Sequence, residues 1–474
     1  MPQPPASMLD QPADGPLGER IFTAGTLRYT KGALWLLFSW LMWNDLCLML
    51  MEQVAPNLVP LLLKDHGASN RDIAFFMSTL TGTFTLWINP VVSTWSDRHR
   101  GSAGRRRPFL FFATPFCAIG LGAVPFMPDL FHYLQRFPAF GAFISHHASF
   151  GVVAFIGIGF LFYQIFNSVI LAIFTYYFWD VVPESVLGRF SAMTKIVGTL
   201  TVFIWNFFLF GQSERHMKAL FVGVAAFFFI AYMVSLWRVK EGEYPPPPAQ
   251  SKPGFWTVIS SYFRDCYKPY YLWFIVANTV YQVGNLSNSF QIFLFRDQLH
   301  LSVDTIGKMK AVPSLLVVLI AYPMGSVVDR LKPARVLIAA VILYGMVNIG
   351  GFVFLNGKWT LFAFVGCVAT VVCVLQISQS VFIVDFFPRE KLGQFASANT
   401  LLASITAMIV APFVGHFLDW IKDYRYALLW STSFYFLSIP LYLKCYFNWR
   451  RLKAFESLAE PAINGPGKVV LVEA

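Results

Sequence analysis

Twelve apolar stretches of roughly 20 residues, spread over the whole chain, decide what this sequence can fold into. At 1.5 Å per residue, about 20 helical residues cross a hydrocarbon layer of about 30 Å. The first six run roughly from 32 to 63, 73 to 95, 108 to 127, 151 to 178, 191 to 211 and 217 to 237. The second six run roughly from 270 to 295, 306 to 327, 334 to 355, 359 to 384, 396 to 418 and 425 to 447. Their continuous apolar runs lack the period-2 alternation of barrel strands, so they read as helices. Composition agrees: with 56% hydrophobic and 13% charged residues, the chain cannot clothe one soluble domain in charge. The expectation is an all-α polytopic membrane protein with 12 transmembrane helices.

Polar segments divide it. Residues 1–31 hold five prolines and no apolar core, and are expected to form a disordered tail. A first six-helix unit then spans 32–238 and a second spans 270–447, with a tail from 448 to 474. Between the units, 239–269 carries Pro245 to Pro248 and then Phe255 to Tyr267, whose mixture of aromatic and charged residues suits an amphipathic surface helix. With the N-terminus inside, roughly 24 Lys and Arg fall on one face and roughly 11 on the other, which predicts cytoplasmic termini in a plasma (inner) membrane. That asymmetry, with anionic lipid, accounts for the net charge of +11 and leaves no need for a nucleic-acid partner. The six cysteines are scattered without metal-ligand or disulfide spacing.

The same punctuation occurs twice. Ser96-Asp97-Arg98 follows the second stretch, and Val328-Asp329-Arg330 follows the eighth. DVVPESVLGRFSA begins at Asp180, and DFFPREKLGQFAS begins at Asp385. Asp180, Pro183, Leu187, Gly188 and Phe190 align without gaps on Asp385, Pro388, Leu392, Gly393 and Phe395, so two six-helix bundles are related by a parallel repeat. Gly- or Ser-x-x-Asp-Arg followed by a basic cluster resembles the signature loop of the major facilitator superfamily. The full string SDRHRGSAGRRRPF, Ser96 to Phe109, resembles the loop of sucrose transporters and related glycoside-cation symporters. The resemblance implies a major facilitator fold and a sugar-proton symporter, with a carbohydrate such as a sucrose-like disaccharide as substrate, a proton as coupling ion, no cofactor, and a monomer.

These loops suit an alternating-access machine, in which charge pairs at helix ends hold one gate shut and break when it opens. The candidate gate comprises Asp97, Arg98, Arg105, Arg106, Arg107, Asp180, Glu184 and Arg189, with Asp329, Arg330 and Asp385 in the second half. The carbonyls at neighbouring helix C-termini also attract such cations, and the arginines double as anchors on the positive side.

Ionisable residues within spans are costly, about 2.5 to 3.5 kcal/mol on insertion scales, and are functional candidates. Asp45 and Glu52 stand seven residues apart on one face of the first stretch. Asp45 is expected to be the proton-coupling acid and Glu52 its outer relay. The seventh stretch offers Asn278, Gln282 and Asn285 at i, i+4 and i+7, with Tyr281 alongside and Asn288 further out. Asn44, Tyr163, Gln164, Asn167, Asn206, Gln376 and Gln379 add polar groups at comparable depth, and Trp43 and Trp205 add flat apolar faces for a sugar ring. Such amides also join helices to one another; as a set on five helices they point to a central cavity. Lys195, close to Arg189, is expected to snorkel to the surface.

The fourth stretch departs from the plant sucrose transporters, whose acid and arginine there are replaced by Gln164 and Thr175, so coupling falls to the first stretch. Two other readings fit the composition: an exporter of a more apolar solute, and a transport-dead receptor on the same fold. No Ser-His-acid set, phosphate loop or metal-ligand cluster is legible, so neither an enzyme nor a metal protein is expected, and His146-His147 reads as loop surface.

Overall fold

The structure is a computed structural model that describes residues 13–14, 20–24, 26–99, 101, 104–137, 148–239, 241–242, 269–387 and 392–463. The amphipathic segment at 255–267 and the His146-His147 pair lie outside these residues. Each apolar stretch is helical. Helix α1 is Lys31–Asp65; α2 joins Asn70–Ala74 through a π turn to Thr81–Arg98; α3 is Arg107–Ala123, continued by Met127–Leu134. Then follow α4 (Ala148–Val181), α5 (Glu184–Ile204, extended by the π turn Trp205–Leu209) and α6 (Ser213–Arg238). In the second half α7 is Pro269–Asn285, prolonged by tighter and wider turns to Gln298. It is succeeded by α8 (Val303–Leu331), α9 (Pro333–Phe354), α10 (Lys358–Phe386), α11 (Leu392–Ile421) and α12 (Tyr426–Ile463). Helical backbone satisfies its own N–H and C=O groups, the condition for crossing lipid. Large apolar side chains such as Trp237, Leu319 and Trp359 stay exposed on the outside, as lipid permits. The chain is an integral, multi-pass membrane protein.

Two boundaries differ from the sequence expectation. Within the tail expected to be disordered, Arg20–Ala24 pairs antiparallel with Leu27–Tyr29, and Phe22, Leu27 and Tyr29 pack on the helical core. A short hairpin with three apolar side chains has a surface to bury once the bundle is present. Helix α12 continues past 447 to Ile463. Its extension is anchored where Arg335 Nε donates to the Tyr446 hydroxyl at 3.0 Å and Trp449 packs near Phe382.

The halves repeat each other in packing as well as in sequence. In the first, α1 packs on α5 and α6, α3 on α4 and α6, and α2 on α4; in the second, α7 packs on α11 and α12, α9 on α10 and α12, and α8 on α10. Between halves the seams are α2 with α11 and α5 with α8. They close at the end of the bundle distant from both termini, here called the distal end.

Asp419 of α11 closes one seam: its carboxylate oxygens accept from the backbone N–H groups of Asn70 and Arg71, both at 3.0 Å, at the start of α2. Gly415 makes the approach possible, since a Cβ there would lie 2.4 Å from the Asn70 carbonyl oxygen. Tyr424 donates to Asn70 Oδ1 at 3.0 Å, and Thr79 to the Met408 carbonyl at 2.6 Å. At the other seam Glu214 accepts from Val303 N–H at 2.7 Å, at the start of α8. Asp419 stands 205 positions after Glu214, as Asp385 stands 205 after Asp180, so the two caps are repeat-related. Arg296 of α7 adds an ion pair to Asp65 of α1 at 3.1 Å.

A carboxylate at a helix N-terminus is worth roughly 0.3 to 2 kcal/mol, the exposed Glu214 at the low end and the half-buried Asp419 at the high end. The double variant Asp419→Asn/Glu214→Gln is therefore expected to open the distal end in part of the population. Spin labels at Arg215 and His300, across the α5–α8 seam, will show a longer-distance component in pulsed dipolar spectroscopy, larger for Asp419→Asn than for Glu214→Gln in the single variants.

Candidate functional site

On the first half the polar groups gather on α1 and α4. Glu52 Oε1 accepts from Asn167 Nδ2 at 2.6 Å and from the Tyr163 hydroxyl at 3.5 Å. Gly120 of α3 lets α4 come this close, because a Cβ there would meet the Tyr163 Cα at 2.9 Å. Glu52 is thus tied into α4 rather than standing in outer water. Asp45, two turns away on α1, is buried, and the charge acting on it is that of Lys195 on α5. Lys195 is exposed, and its ammonium serves Asp45 electrostatically whatever surface it reaches. Asn44 is fully buried and its amide has no hydrogen-bond partner among the described residues.

In the second half one predicted stripe becomes two networks. Asn278 Oδ1 accepts from Gln379 Nε2 of α10 at 2.6 Å, and its own Nδ2 donates to Asn399 Oδ1 of α11 at 3.0 Å. Those amides tie helices together. Further along α7, Gln291 donates to Asn288 at 3.0 Å, Asn288 to Asn285 at 3.2 Å, and Asn285 to Gln282 at 2.7 Å. The 3-10 turn Leu286–Phe290 makes this ladder, since three residues per turn stack side chains at i and i+3. Tyr435 of α12 donates to Asn285 Oδ1 at 2.6 Å, and its ring stacks between Tyr281 and Tyr344, with centroids at 5.0 and 4.6 Å. Gly284 makes room for that ring.

Other candidates go elsewhere. Trp205 is fully buried with its ring near Phe210, and Asn206 Nδ2 donates to the Val202 carbonyl of its own helix at 2.9 Å. Both belong to the α5–α8 seam, where a Cβ on Gly307 would lie 2.3 Å from the Asn206 carbonyl oxygen. The π turn carries them there, away from any ligand surface in this conformation. Trp43 is 41% exposed and sits edge-on to Phe227 of α6. Gln376 is exposed, Gln164 is half-buried, and neither joins the two networks.

At the opposite end, which carries both termini, the basic loop folds back on its own half. Asp180 accepts from Arg105 at 2.8 Å and from Arg106 Nε at 2.5 Å. Arg107 donates to the carbonyls of Leu236, at 2.8 Å, and Trp237 at the C-terminus of α6. Glu241 caps α3 by accepting from Arg106 and Arg107 N–H at 3.0 and 3.3 Å; burial pushes its carboxyl up, against the pull of those donors. Gly104, at φ +97°, turns the loop against Glu241 with no room for a Cβ. The expected gate latch is therefore a brace within one half: Asp180 bonds to its own bundle. Arg189, Arg330 and Asp385 are exposed. The side chains of Asp97, Arg98, Glu184 and Asp329 lie outside the described residues.

The two bundles are joined at the distal seams and divided below them, and the same fold recurs in solved structures. A bacterial homolog of the human lysosomal transporter Spinster, inward-facing and unoccupied, matches 89% of this chain and 99% of its own at a TM-score of 0.63 and 12% identity. A bacterial homologue of the iron transporter ferroportin, inward-facing, gives 0.62 over 87% and 99% at 12% identity. The nucleoside transporter NupG gives 0.62 over the same shares, also at 12%. The fold is the major facilitator fold. The sequence model of the Major Facilitator Superfamily matches residues 272–464, the second bundle. No curated protein matches the chain. In this major facilitator fold the described hydrogen bonds between halves reach from the distal end no deeper than Thr83.

Asn399, Gln291, Tyr435, Glu241, Asp419 and Glu214 are not among the residues that the sequence singles out; of these Asp419 and Glu214 leave a trace in it, the repeat offset. Asp180→Asn is expected to lower the apparent melting temperature of the purified protein by several degrees, because two buried or half-buried guanidinium groups lose their counter-charge. Arg189→Gln, at an exposed position, will leave it within about a degree.

Proposed function

We propose that the chain is a secondary transporter that carries a hydroxylated solute of the sugar class by alternating access, driven by a proton gradient. The observation that carries this reading is the placement of two polar sets, Glu52 with Asn167 and Tyr163 on one half and the α7 ladder on the other. They stand on helices not packed together across the divide, below seams built from breakable caps. Amides present donors and acceptors together, which matches hydroxyl groups, and the tyrosine stack offers apolar ring faces. The divide opens toward the end bearing the termini, which is cytoplasmic in this reading by the bias of Lys and Arg. The neighbours' named cargoes differ from one another, so the shared fold does not select a solute, and the reading rests on the polar residues of this chain.

Asp45 is the coupling acid in this reading. It is buried, faces the Lys195 charge, and changes the charge of the first bundle when it takes a proton. Glu52, held by Asn167 and Tyr163, joins substrate and proton sites.

The test is uptake of labelled mono- and disaccharides into vesicles containing the purified protein, with and without an inward proton gradient. Gradient-dependent accumulation is the expected result. In Asp45→Asn it will fall by at least an order of magnitude while solute exchange persists. Loss of exchange as well would move Asp45 from coupling to binding, and absence of any uptake by the wild type would reject the sugar assignment.

A further inference from the structure

Lys310 is an ammonium in a membrane-spanning helix and belongs to none of the networks above. It follows Val303 by seven residues on α8, so it lies about 10 Å below the distal end. The exposed Val312, Leu315, Leu316 and Leu319 mark the outward side of that helix. Gly307, pressed against Asn206 of α5, and the fully buried Ile306 mark the inward side. At 100° per residue Lys310 falls between these last two, away from lipid and toward the divide. Lys310 is half-buried there.

No carboxylate among the described residues acts on this charge. Its neighbour is the Phe295 ring of α7, with the ammonium 5.7 Å from the centroid. Phe295 is one turn beyond Gln291, so the ammonium stands beside the upper rung of the amide ladder. A cation held inside a span without a counter-ion is destabilising unless something anionic visits it.

We propose that Lys310 receives the anionic group of the transported solute while the α7 amides take its hydroxyls, so that the cargo is a hydroxylated organic anion. This rests on the carrier reading above and narrows its substrate class. A carboxylate and a phosphate both meet the ammonium as point charges, and the test separates them.

The experiment is counterflow uptake into proteoliposomes of the full-length protein, using glucuronate, glucose 6-phosphate and glucose as probes. Wild type, Lys310→Gln and Lys310→Arg are compared, and their melting temperatures are measured without solute. The wild type is expected to move one of the two anions at least tenfold faster than glucose. Lys310→Gln will lose that uptake at least tenfold while melting no lower than the wild type, and Lys310→Arg will keep most of it. Thermal stabilisation of the detergent-solubilised wild type by the same anion, and not by glucose, is an independent readout should the glutamine variant fail to fold. Anion uptake unaffected by Lys310→Gln overturns the inference. So does uptake of glucose in place of the anions, which leaves the carrier reading standing; uptake of none of the three also overturns the inference, and the mono- and disaccharide assay then decides the carrier reading.

Discussion

A helix that begins at the junction of two membrane bundles presents N–H groups that its own backbone cannot satisfy and that lipid cannot solvate. Here the acceptors come from the opposite half: Asp419 supplies them to α2 and Glu214 to α8. The joint between bundles, the divide beneath it and the direction in which that divide opens all depend on these two caps. With two hydrogen bonds in the Asp419 cap and one in the Glu214 cap, each of modest energy, the joint is breakable. Glycines at 415 and 307 bring the backbones near enough for the caps to form, and in a medium with no hydrophobic drive between helices such close packing carries much of the association.

The opposite end obeys different physics. Asp180, Glu241 and the three consecutive arginines from 105 to 107 bind loop, α3, α4 and α6 into one unit. The motif's charge pattern is compatible with either a latch between halves or a brace within one; the choice is made by which carboxylate the turn at Gly104 brings within reach.

Along α7, a local change of helix pitch brings polar side chains into register. Asn285, Asn288 and Gln291 would spread around an ordinary α-helix, and the 3-10 turn after Asn285 lines them up. Asn278, earlier on the regular part of α7, bonds instead to Gln379 of α10 and Asn399 of α11 and binds helices together. Polar residues that look alike in sequence thus divide into those that tie helices together and those that pair along one helix. Lys310 shows the converse: an ordinary-looking lysine near a helix end in the sequence, it is a half-buried ammonium beside the Phe295 ring in the bundle.

What the sequence by itself determined is what lipid enforces residue by residue: twelve helices, their approximate limits, the division into halves, and the repeat, since each is a matter of apolar length and motif spacing. The signature loop, and Asp45 and Glu52 as the carboxylates in the first span, were legible for the same reason, being charges set against an apolar background. Tertiary structure alone decided which polar side chains meet. Asn399, Tyr435 and Glu241 are remote in sequence from the groups they bond, and the roles of Trp205 and Asn206 as seam residues follow from a π turn that periodicity assumes away. Hydrophobic length is a property of one segment, whereas a hydrogen bond needs two, and their relative placement exists only once the helices have packed.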